Sequence, residues 1–185
     1  MVGVVATRIP LRLERRLPRR RPLDERIVFV APALSWGFTA IAFGLPRGWR
    51  LRSRILAFLV RRGYAAIDRG DLEFLMRVMY DPAAELSFAG KFADFDQTYR
   101  GREAAFAAYR RWVETWDDYR RRPVEVFDLG DRVLTLIQES GRGKESGAPV
   151  DARLAMLLTF KRGRVVKHRE FQSWEDGLAA VGLDA

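Results

Sequence analysis

The chain has no cysteine. Disulfides, thiolate nucleophiles and cysteine-ligated metals are therefore excluded, and a reducing compartment, the cytoplasm, is the location expected. It has one histidine, His168, so a multi-histidine zinc or iron site cannot be assembled within a single chain. There is no internal repeat, and no nucleic-acid-reading motif accompanies the basic residues, so no specific nucleic-acid partner is expected. Carboxylates are scarce at the start. Residues 1–50 hold ten arginines against Glu14, Asp24 and Glu25, whereas residues 51–185 hold 23 basic and 21 acidic residues. Most of the net charge of +9 thus belongs to an N-terminal extension. Its run "RLERRLPRRRPLDER" reads as a solvated, flexible leader over residues 1–23, although such a run can attract anionic lipid or nucleic acid.

Apolar residues are plentiful. At 185 residues, 48% hydrophobic and 31% charged, the chain can build a core and suits one domain plus an extension. From Ile27 to Leu45 no residue is charged. Nineteen residues can just span a bilayer of about 30 Å hydrocarbon at a rise of about 1.5 Å per residue. Pro32, Ser35, Gly37, Thr39 and Gly44 dilute the stretch, and arginines on both sides give no orientation. No small-residue cleavage site marks it as a signal peptide. The favoured reading of residues 24–50 is an apolar helical extension docked on the domain that follows. Membrane association through 27–45 is the alternative.

From Leu51 the pattern is helical. Leu56, Val60, Tyr64 and Ile67 recur at three-to-four spacing, widened by Ile55 and Leu59, with Arg54 and Arg61 opposite. "DRGD" breaks this helix, with Gly70 suited to a left-handed position and Asp71 to the N-cap of a short helix carrying Leu72, Leu75, Met76 and Met79. Asp81-Pro82 ends that helix. "AELSFAG" reads as a strand, "KFADFDQTYRG" as a loop, and "REAAFAAYRRWVETWDD" as a helix with Phe106, Tyr109, Val113 and Trp116 on one stripe. Strand character follows over Pro123–Leu129, Arg132–Ser140, Val150–Lys161 and Arg164–Gln172, joined by short hairpin connections that predict antiparallel pairing. A helix, "WEDGLAAVGL", closes the chain. Helices gathered before a curled antiparallel sheet give an α+β domain over 51–185.

The ordered set "RRGYAAIDRGDLEFLMRVMYDPAAELSF", "YRGREAAFAAYRRW", "DLGDRVLTLIQESGRGKESG" and "LTFKRGRVVKHREFQSWEDGLAAVGL" resembles the nuclear-transport-factor-two-like superfamily, in its SnoaL-like branch. The resemblance covers about residues 60–183. It implies a cone: a curved sheet wrapped around helices, with a hydrophobic pocket at the open end. It also implies a homodimer, since many members are dimers. Members include isomerases, cyclases, epoxide hydrolases, binding proteins and scaffolds, so the fold leaves function open.

Alternation puts Val166, His168, Glu170 and Gln172 on one face of the last strand, and Val133, Thr135, Ile137 and Glu139 on one face of an earlier one. The resemblance to the limonene-epoxide-hydrolase-like branch places Glu139 and Glu170 at that family's two catalytic carboxylates. His168 falls at a pocket aromatic, and the family's intervening arginine falls at the apolar Ile137. A cofactor-free, metal-free hydrolase or isomerase would use Glu170 and Glu139 with His168 as its catalytic groups. Pairing of Glu170 with one of the many arginines, and a solvated Glu139, is the simpler expectation. A ketosteroid-isomerase-like reading finds Ser87-Phe88 where that branch has its base, and leaves Tyr64 without a base opposite it. Tyr64, Phe88, Trp112, Trp116, Met156 and Leu158, with Phe160, are the candidate ligand-binding residues for a small, mostly apolar molecule. Ligand binding without a firm claim of catalysis is the first reading. The enzyme is the second, and a non-catalytic dimerisation module the third.

Overall fold

The computed structural model describes residues 6–11, 20–88 and 98–183. Its elements are β1 (Thr7–Arg8), α1 (Leu23–Val30), α2 (Pro32–Gly44), α3 (Arg50–Asp68), α4 (Leu72–Met79), β2 (Tyr80–Ser87), β3 (Thr98–Arg100), α5 (Arg102–Glu114), β4 (Trp116–Asp128), β5 (Arg132–Gly143), β6 (Pro149–Lys161), β7 (Arg164–Phe171) and α6 (Trp174–Ala179). One curled, unclosed sheet runs in the order β1-β4-β5-β6-β7-β2-β3. The four consecutive strands pair antiparallel, as their short connections predict. The two-residue turn Arg162-Gly163 has positive φ at both positions, the conformation that matches strand twist in a tight hairpin. β2 joins the other side of β7 in parallel.

The inner face of the sheet packs on α3, α4 and α5. Tyr64, Leu75, Met76, Ala105, Ile137, Leu154 and Leu158 belong to one core cluster. The outer face is covered by α6, where Leu178 and Val181 pack on Leu134, Leu136, Ala155 and Phe171. Strand alternation thus feeds two separate apolar layers, one on each side of the sheet. Asp71 caps α4 by accepting from the Phe74 amide and is itself gripped by Arg21 at 2.6 and 2.7 Å. Gly70 has φ +70°. α4 buries Phe74 and Val78 as well as Leu75 and Met76, because α1 covers its second side with Val28 and Phe29.

Three local expectations shift. The aromatic helix stops at Glu114, and Trp116 opens β4 instead of extending the helical stripe. Thr7–Arg8, expected in a flexible leader, pairs with Phe127 and Asp128 at the sheet edge, and Ile9 is buried there. An unpaired edge strand gains a partner in this way. On β7, Val165 rather than Val166 enters the inner core, because the β6–β7 register shifts at Thr159/Phe160. Residues 91–97 of the predicted loop, and 89–90 of the strand before it, lie outside the described residues.

The uncharged stretch 27–45 is not one helix. α1 and α2 meet at 104°, and no single helix is long and apolar enough to cross a membrane among the described residues. Both are tied to the domain by buried arginine chemistry. Arg52 on α3 donates to Asp128 at 2.6 and 2.7 Å, to the Gly130 carbonyl, and to the carbonyls of Phe43 and Leu45 at the end of α2. These acceptors include carbonyls that a helix end leaves unsatisfied. Glu25 of α1 is buried between Arg62 and Arg69. Burial pushes its carboxyl pKa up, with the Arg69 charge opposing. Trp36 donates to the Val78 carbonyl, and the Arg164 guanidinium lies 4.0 Å over its ring.

Candidate functional site

The amphipathic pattern of α3 leads directly to a hollow. Leu56, Leu59, Val60, Tyr64 and Ile67 line it from α3, and Leu75, Met76 and Met79 from α4. Met156, Leu158 and Phe160 line it from β6, with Phe88 beside them. α2 adds Ser35 and Thr39 near the β6–β7 turn. Of the candidate ligand-binding residues, Tyr64, Phe88, Met156 and Leu158 stand in this wall. Trp112 and Trp116 do not. They meet edge to face at 4.8 Å where α5 passes into β4, because the helix ends before its stripe reaches Trp116.

Toward the far end of β5 the wall becomes polar. Arg121 on β4 lies opposite Glu139 in the β4–β5 register. Its Nε donates to Glu139 Oε2 at 2.9 Å and its Nη1 to Glu170 Oε1 at 2.7 Å. All three side chains are buried. The Tyr119 hydroxyl adds a second donor to Glu139 Oε2, at 2.9 Å. Glu170 Oε1 also accepts from His168 Nε2 at 3.3 Å, and His168 Nδ1 stands 2.8 Å from the Tyr80 hydroxyl. A carboxylate can only accept, so Nε2 must carry a proton, and a neutral ring then accepts at Nδ1 from Tyr80. Burial alone would raise the Glu170 pKa. The Arg121 charge, with His168, overcomes it and holds the carboxyl far below its ordinary value.

Glu139, Glu170 and His168 are thus brought together around Arg121; Glu170 pairs with an arginine as expected, whereas Glu139, expected in solvent, is buried. The arginine looked for at Ile137 comes instead from the neighbouring strand, as Arg121. Its signal lay in "DYRRRP", where Tyr119, Arg121 and Pro123 alternate inward if β4 is begun earlier. Neither glutamate faces the hollow, whereas Arg121, His168, Tyr80 and Thr135 do. Tyr64 is different again. Its hydroxyl is buried and has no hydrogen-bond partner, and burial drives its pKa far up, so it stays protonated. Phe88 stacks on Tyr109 at 5.9 Å and meets His168 edge-on at 5.5 Å, closing the polar end with aromatic surface. No group of three histidine, aspartate or glutamate side chains that could hold a metal occurs among the described residues.

Residues 60–168, from the Tyr64 helix to His168, match the SnoaL-like domain family. The chain belongs to that family. Among solved structures, a nuclear-transport-factor-two-like protein from Burkholderia thailandensis is 29% identical over 62% of this chain and 87% of its own, with a TM-score of 0.56. Bal32a, from a soil-derived mobile gene cassette, is likewise 29% identical over 62% and 86%, at 0.56. TerC, co-crystallised with polyporic acid, shares the fold at 18% identity over 62% and 88%, at 0.54. No curated protein matches the sequence. The SnoaL-like match begins at Val60, after α1, α2 and the first half of α3.

Proposed function

We propose that the cone holds a small, mostly apolar molecule whose one polar group sits between Tyr64 and the Arg121–His168 end. The observation that carries this reading is the Tyr64 hydroxyl. It is buried in the wall of an apolar hollow without a partner. A buried hydroxyl left unpaired costs about 1–3 kcal/mol, so a carbonyl or hydroxyl of a ligand is a natural complement. A hollow cone also suits a binder better than an interaction module, whose core would be filled by its own aromatics. TerC, which has this fold, was co-crystallised with polyporic acid.

The test is displacement of a fluorescent apolar probe, anilinonaphthalene sulfonate, by a panel of small ketones and phenols. Saturable binding that Leu158→Trp abolishes and Tyr64→Phe weakens only for polar competitors is the expected result. Probe binding unchanged by Leu158→Trp would overturn the reading. Tyr64→Phe should leave stability equal or higher, since it removes an unsatisfied hydroxyl.

Catalysis is the second reading, favoured by the convergence of Tyr80, His168, Glu170 and Arg121 on one cavity wall. Glu170, held ionised by Arg121, does not serve as the acid. In this reading His168 and Tyr80 move the proton, and the two glutamates hold Arg121 and orient the imidazole. Cofactor-free turnover of an epoxide or unsaturated ketone, lost in His168→Gln, would establish it. Turnover that persists in that variant would exclude this role for His168.

A further inference from the structure

The outer side of the α2–α3 pair is apolar. On α2, Leu34, Phe38 and Ile41 recur at spacings of four and three residues and are all exposed, Leu34 at 56% and Ile41 at 63%. On α3, Leu51 is 54% exposed and Phe58 lies two turns further along the same stripe. An edge contact between Phe38 and Phe58, at 6.4 Å, joins the two stripes into one face. Single exposed apolar residues are ordinary, but a continuous face across two helices is not.

This face is set in positive charge. Between Arg26 and Ile67, a stretch with no carboxylate, Arg26, Arg47, Arg50 and Arg54 are exposed, whereas Arg52 is buried on Asp128 and Arg62 pairs with Asp24 and Glu25. Arg54 is exposed one turn from both Leu51 and Phe58, and the Arg62 guanidinium lies 5.0 Å from the Phe58 ring. An apolar stripe bordered by arginines is the pattern of an element that lies in the boundary between headgroups and acyl chains.

We propose that the α2–α3 face docks on an anionic lipid surface, with Leu34, Phe38, Ile41 and Leu51 in the boundary layer and the flanking arginines among the phosphates. The charge decides against a second copy of the chain. A two-fold contact sets one patch against itself, so it would bring the exposed Arg54 of both copies together, and neither α2 nor the exposed stripe of α3 supplies a carboxylate to it. The 104° bend between α1 and α2, and the grip of Arg52 on the end of α2, favour lying on the surface over crossing it.

The test is flotation of the full chain with vesicles of phosphatidylcholine alone or mixed with phosphatidylserine. Binding should require phosphatidylserine and weaken with salt. Arg54→Glu should lower the partition coefficient by about fivefold or more, from the weight of one surface cation. Leu34→Ser with Ile41→Ser should abolish binding while the melting temperature and cavity probe binding are retained. Should that double variant fail to fold, the Arg54→Glu result decides. Absence of binding to anionic vesicles, equal binding to both vesicle types, or a dimer in sedimentation that the double variant splits would each overturn the proposal.

Discussion

Replacing Arg121 by methionine isolates what the buried charge network contributes. Arg121 is fully enclosed and bonds both Glu139 and Glu170, so its loss removes the guanidinium that both buried carboxylates face. Breaking a buried pair by removing one partner costs about 3–5 kcal/mol. That is a large share of the roughly 5–15 kcal/mol that stabilises a typical domain. The loss must also depend on pH, with a definite sign. In the intact protein Glu170 has a depressed pKa. Its stabilisation is therefore complete above the unfolded value of about 4.3 and drains away only as pH falls further, toward the folded value. Without Arg121, burial is left to raise that pKa, so the variant is worst at neutral pH and improves as pH falls through the raised value. The gap between the two proteins should be widest near neutrality and narrow toward about pH 4. Urea unfolding followed by tryptophan fluorescence at several pH values measures it. Replacing Glu139 by leucine and Glu170 by methionine in the same chain should recover most of the loss, since an apolar substitute for a whole buried network is often close to neutral. A loss below about 1 kcal/mol at neutral pH, or a gap that does not change with pH, would refute this account of the network.

Two further substitutions probe the scaffold. Gly163 has φ +77°, and a Cβ there would lie 1.8 Å from the Trp36 carbonyl oxygen, so Gly163→Ala must push α2 off the hairpin. A loss of about 2–4 kcal/mol, read as a fall in melting temperature of about 5–15 °C, is expected. Asp71→Ala removes both the cap on the Phe74 amide and the acceptor for Arg21, at about 1–2 kcal/mol by chemical denaturation. Burial opposes ionisation of Asp71, but Arg21 and the Phe74 amide win and lower its pKa. The difference from the intact protein should therefore be flat above the unfolded value of about 3.9 and shrink below it.

Much of the scaffold was legible because it rests on short-range signals. The α3 stripe, the Asp71 cap, Gly70 and the tight turn at Arg162-Gly163 follow from periodicity and turn chemistry, and each stands where expected. Alternation put His168 and Glu170 on one face of a strand, but it was the resemblance to the limonene-epoxide-hydrolase-like branch that joined Glu139 to them as one site. Arg121 was hidden in "RRR", where Arg120 and Arg122 point to solvent and only the register of β4 tells the three apart. Trp112 and Trp116 were misplaced because helical spacing continues past Glu114, whereas the chain leaves the helix there. The inward turn of Val165 depends on a register shift against Phe160 on the neighbouring strand, which no local pattern encodes. The break between α1 and α2 falls before Pro32, yet composition alone reads as one apolar run.

Arg52 has a consequence for how the molecule comes apart. From α3 its guanidinium joins the end of α2 to Asp128 and Gly130 at the β4–β5 turn, two pieces of chain far apart in sequence. Peeling α2 away would strip a cation of acceptors inside a low-dielectric interior, a step that local fraying does not have the energy to take. α2 should then melt together with the curled sheet behind it, and amide protons in the last turn of α2 should exchange as slowly as those of β5.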